Sequence, residues 1–117
     1  MNLRISGQSL RFRIDPDECD RLLDGGTVSS LTRLPSGSSL EIRLRARSLD
    51  QDVLSLEEVD ATALELLVDW GALGDLMARH PRITGLSSRP DTPDGDPLEL
   101  SLEIDVGFPR GRVRRPR

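Results

Sequence analysis

The chain has 117 residues, 36% of them apolar and 31% charged, and a formal net charge of −4. That length suits a single domain with one hydrophobic core, and the composition excludes wholesale disorder. One cysteine, Cys19, excludes an internal disulfide, and a single histidine, His80, leaves a two-histidine metal site and a histidine proton relay without parts.

The opening Met1 to Gly7 alternates apolar and polar residues, unlike a secretory signal. The most apolar window, Ala63 to Met77, is broken by Glu65, Asp69 and Asp75, whereas a membrane span needs roughly 20 apolar residues. A soluble cytoplasmic protein without a membrane partner is therefore expected. All 16 basic residues are arginine, which we read as the codon bias of a GC-rich bacterial genome.

Residues 3–5 and 10–14 read as two short strands, with Gly7 supplying the positive φ of a tight hairpin turn. Asp15-Pro16-Asp17-Glu18 reads as a helix start: Asp15 caps, Pro16 takes the first helical position and Glu18 completes a capping box. Cys19, Leu22 and Leu23 continue its apolar face until Gly25-Gly26 end it.

Val28 to Leu34 reads as a third strand, Pro35-Ser36-Gly37 as a turn, and Leu40 to Arg47 as a fourth strand with strict alternation. Val53 to Val59 and Ala63 to Val68 are the next two strands. Asp69 caps a second helix carrying Leu73, Leu76 and Met77, which Pro81 stops, and Ile83 to Ser88 and Leu98 to Ile104 are the last strands.

A shift of 54 residues carries Leu10, Phe12, Ile14, Asp15, Cys19, Leu22 and Leu23 onto Leu64, Leu66, Val68, Asp69, Leu73, Leu76 and Met77. Two duplicated ββαββ halves are expected. Short connections favour antiparallel pairing, so the expected fold is α+β over residues 1–108: an antiparallel curved sheet or small barrel of about eight short strands with two helices. Residues 109–117 are expected to form a disordered Arg-rich tail. The tail has five arginines, leaving the body with 11 against 20 acidic residues, a charge of −9.

Leu3-Arg4-Ile5-Ser6-Gly7-Gln8-Ser9-Leu10-Arg11-Phe12-Arg13-Ile14 resembles the start of a family of small uncharacterised bacterial proteins, the domain-of-unknown-function family DUF7009. The similarity runs through the short helix, Gly26-Thr27-Val28 and the last strand to Phe108. It departs at Asp105-Val106-Gly107-Phe108, where members carry a nearby cysteine. The resemblance implies no catalytic residues.

Cys19 reads as a core thiol, His80 as a helix-end residue meeting the last carbonyls, and the loop of Asp91, Asp94 and Asp96 as a solvated turn lacking the terminal glutamate of a calcium loop. No metal or cofactor is expected. Trp70 and the tail residues Arg112, Arg114 and Arg115 are candidate partner contacts; the tail also suits nucleic acid, which the acidic, aromatic-poor body disfavours. Arg11, Arg13, Arg43, Arg45 and Arg47, with Glu41, Glu65, Glu99 and Glu103, alternate with apolar residues and so share the polar side of their strands.

If the sheet is open, these charges pair in water; if it closes with the helices outside, they line an interior that suits an anion. The leading functional expectation is a non-catalytic accessory or protein-interaction domain with a protein partner. The alternative is a phosphate- or polyphosphate-binding barrel, because the duplicated strand-helix-strand order resembles that of triphosphate-tunnel proteins. That family's glutamate-rich strand ending in lysine is replaced here by Arg11 and Arg13.

Overall fold

The computed structural model describes residues 1–79 and 85–105. Local chemistry places the elements much as the pattern demands. β1 (Asn2–Ser6) and β2 (Ser9–Ile14) form a hairpin around Gly7 at φ 54. α1 (Pro16–Leu23) follows, its start closed by reciprocal bonds: the Glu18 N–H donates to Asp15 Oδ1 at 2.7 Å and the Asp15 N–H to Glu18 Oε1 at 3.0 Å. The Met1 ammonium donates to Glu18 Oε2 at 2.6 Å, which ties the start of β1 to this helix. The helix ends before Gly25, at φ 92.

β3 (Thr27–Arg33) and β4 (Ser39–Arg47) form a second hairpin around Gly37, and β5 (Leu54–Asp60) and β6 (Ala63–Asp69) a third. α2 (Trp70–Arg79) begins where Asp69 Oδ2 accepts the Ala72 N–H at 3.0 Å, and β7 (Gly85–Ser88) and β8 (Glu99–Ile104) complete the chain order. The expected stop of α2 at Pro81 and the role of His80 lie outside the described residues, as do Ile83 and residue 84 of the seventh strand's expected start.

The eight strands and two helices make an α+β fold, but the sheets correct the expected pairing. They form two four-stranded mixed sheets, β1-β2-β8-β7 and β3-β4-β6-β5, each with a parallel central pair. The hairpin loops dictate antiparallel pairing only inside each hairpin; β2 with β8 and β4 with β6 join strands from different hairpins, whose long connections permit the parallel direction. The chain is built ββαββ twice, and exchanging the first five elements for the last five carries one sheet order onto the other.

The expected small barrel is not formed. β5 packs against β7 and β8, where the Leu54 N–H donates to the Ser88 hydroxyl at 3.2 Å, so the sheets meet along that side. Among the described residues β1 has no packing of similar extent against β3, and the two sheets stay separate. One core cluster joins the apolar faces of both sheets to the helices: Phe12, Ile14, Leu44, Leu66, Leu100 and Leu102 come from strands, and Cys19, Leu22, Leu73 and Leu76 from helices. Leu23 and Met77 are half-buried at its margin.

Candidate functional site

The pleat sends alternate residues to opposite faces. With Phe12 and Ile14 in the core, Arg11 and Arg13 must stand on the polar face of the first sheet. Antiparallel register sets Arg4 of β1 opposite Arg11, and Asn2 opposite Arg13; parallel register sets Glu103 of β8 beside Arg13. The Arg11 Nη2 donates to Glu103 Oε1 at 3.1 Å, and the Arg13 Nη2 lies 3.6 Å from Glu103 Oε2. Both arginines are about half exposed, so these pairs contribute at most about 1 kcal/mol each. Asn2, Arg4, Arg11, Phe12, Arg13 and Glu103 line a shallow cleft of about 40 Å³. Farther along this face Arg89 pairs with Glu99 at 3.3 Å.

Arg43, Arg45 and Arg47 occupy the polar face of the other sheet, so the structure divides the expected arginine group in two. Glu65 lies opposite Arg43 in the register and is almost buried, its side chain 9% exposed. Its Oε2 is 3.6 Å from the Arg43 Nε and 4.0 Å from the Arg45 Nε, while Glu41 Oε1 stands 4.0 Å from the same Arg43 atom. The Arg43 Nε is buried and makes no hydrogen bond. Leu67, opposite Arg45, is also buried although the pleat turns it to this face. The group is balanced in charge and partly desolvated, which suits a structural role. Burial of Glu65 was not readable from the alternation that puts it on a polar face.

Arg47 is exposed and has no ion-pair partner within 4 Å among the described residues. Its register neighbour Asp69 is engaged by the N–H groups of Leu49 and Ala72, each at 3.0 Å, and these donors hold its carboxyl below the ordinary 3.8. Asp60 is lowered likewise by the Thr62 N–H, at 2.8 Å, and then by the Thr62 hydroxyl.

Cys19 is fully buried, as a core thiol should be, and Trp70 packs half-buried against the core. Asp91, Asp94 and Asp96 are exposed, and no group of three or more metal-ligating side chains converges among the described residues. Arg112, Arg114 and Arg115 lie outside the described residues. Among the described residues no helix is long and apolar enough to cross a membrane.

Sequence reasoning passed over two features. Arg4 and Asn2 join Arg11 and Arg13 because the hairpin about Gly7 fixes their register; the turn itself was the available signal. The far end of the β3–β4 hairpin projects from the core: residues 29–38 are all exposed, and Leu31, Leu34 and Leu40 are 55%, 40% and 39% exposed.

No curated protein and no solved structure matches the chain. A family model does, over residues 1–107, and the chain accordingly belongs to the family of unknown function DUF7009.

Proposed function

We infer that this chain is a non-catalytic protein-interaction domain that receives an extended segment of a partner protein along the free edge of β3. The observation that carries this reading is the contrast among the four sheet edges. Exposed edges invite further strand pairing, and proteins blunt them with charge, bulges or shortness. β1 carries Arg4 at its centre; β5 carries Glu57, Glu58 and Asp60 with a register shift between Glu58 and Asp60; β7 has four described residues. β3, Thr-Val-Ser-Ser-Leu-Thr-Arg, has seven residues and no charge before Arg33.

On β3 itself Leu31 is an exposed apolar side chain that gives an added strand something to bury, and Leu34 is exposed where the strand runs into its turn. Main-chain bonds would supply affinity and Leu31 specificity. The interchange of the two sheet orders supports an origin by duplication of one ββαββ unit. The all-arginine basic set and the lone, buried free cysteine support a bacterial cytoplasmic setting.

The test is affinity capture with the full chain as bait, run beside Leu31→Glu and Arg11→Ala variants whose melting points are checked first. A partner lost by Leu31→Glu and kept by Arg11→Ala supports docking on β3. A partner retained equally by both variants sinks it.

A further inference from the structure

We propose that the cleft on the polar face of the β1-β2-β8-β7 sheet binds a phosphate monoester dianion through Arg4, Arg11, Arg13 and Asn2, with Glu103 orienting two of the arginines. This site lies on the other sheet from β3 and does not depend on strand docking there.

Placement of charge is the first argument. Arg4 stands directly opposite Arg11 on neighbouring strands, an arrangement that repels unless something between the side chains neutralises it. Glu103 is the single carboxylate among the residues lining the cleft, and it is shared by Arg11 and Arg13. Arg4 has no ion-pair partner within 4 Å among the described residues. Three arginines against one glutamate leave the cleft at +2, in a chain whose residues before the tail carry −9. A dianion closes that local imbalance.

Geometry is the second. Glu103 Oε1 accepts from Arg11 Nη2 at 3.1 Å and Glu103 Oε2 lies 3.6 Å from Arg13 Nη2, which draws both guanidinium groups toward the cleft and leaves their other N–H groups for a ligand. Arginine's fork matches the paired oxygens of a phosphoryl group, and the Asn2 amide adds a neutral donor opposite Arg13. A volume of about 40 Å³ admits a phosphoryl head and leaves the rest of an ester in solvent. The arginines of the other sheet do not offer the same site, because Glu41 and Glu65 balance Arg43 and Arg45.

The experiment is an NMR titration of the full chain with inorganic phosphate against sodium chloride at matched ionic strength. Phosphoserine and a nucleoside monophosphate serve as the two ester arms, and the tighter one identifies the carrier. Saturable shifts at the amides of residues 2–4, 11–13 and 103 are expected with phosphate and not with chloride. Arg4→Ala and Arg11→Ala should each weaken binding roughly tenfold, the scale of one charge-assisted hydrogen bond, while Arg43→Ala leaves it unchanged. Equal response to chloride, shifts located elsewhere, or affinity unaltered by both cleft variants would overturn the proposal.

Discussion

Leu22→Ala tests the core most sharply, because Leu22 is wholly buried on α1, which packs against α2, β3 and β4. Truncation removes three side-chain carbons, worth about 0.8 kcal/mol each or roughly 2.4 kcal/mol together. The cavity left between rigid neighbours adds to this, giving about 3 to 4 kcal/mol, within the range measured for buried leucines. At roughly 4 °C per kcal/mol for a domain of this size, the melting point falls by about 12 to 16 °C. Leu23, the next residue but half-buried, should cost about 1 kcal/mol on the same scale. Urea and thermal unfolding of both variants measure the difference. Equal losses for Leu22→Ala and Leu23→Ala would refute the placement of the helix face.

Three further outcomes follow from single contacts. Asp69→Ala removes the acceptor for the Leu49 and Ala72 N–H groups and should cost about 1 to 2 kcal/mol by urea unfolding. Because those donors lower the Asp69 carboxyl in the folded state, its stabilisation is complete above the ordinary 3.8 and disappears as pH falls through the lower folded value; the wild type should lose stability below about pH 4 more steeply than Asp69→Asn. Arg43→Ala strands the nearly buried Glu65 with only the more distant Arg45, so it should cost about 2 kcal/mol, whereas Arg11→Ala, at a half-exposed pair, should stay within about 0.5 kcal/mol of wild type. Gly37→Ala should cost about 1 kcal/mol through backbone conformation alone, since a Cβ at that φ of 92 meets no atom within 4 Å.

Features set by neighbours in sequence were the legible ones. The capping box of Asp15 and Glu18, the positive φ of Gly7 and Gly25, the turn through Gly37 and the cap at Asp69 each depend on a few consecutive residues, and each stands where the pattern put it. Strand alternation likewise placed Leu10, Phe12, Ile14, Leu100, Leu102 and Ile104 in the core.

What escaped depends on distant partners. The parallel pairing of β2 with β8 joins residues about 90 positions apart, and no local signal distinguishes it from an antiparallel pair. Asp69 was readable as a cap but not as the acceptor for Leu49, which lies 20 residues before it. The division of the arginines had the same origin, since alternation assigns a face within a strand and not the sheet to which the strand belongs. The protrusion of Leu31, Leu34 and Leu40 was hidden because an apolar residue in a strand reads as core unless the sheet's outline is known.

Amide hydrogen exchange of the chain, free and bound to the captured partner, tests the central claim most directly, because strand addition protects backbone N–H groups along one edge. The account predicts new protection concentrated in β3, Thr27–Arg33, with β1, β5 and β7 unchanged. Protection confined to the helices, or to an edge other than β3, would contradict it.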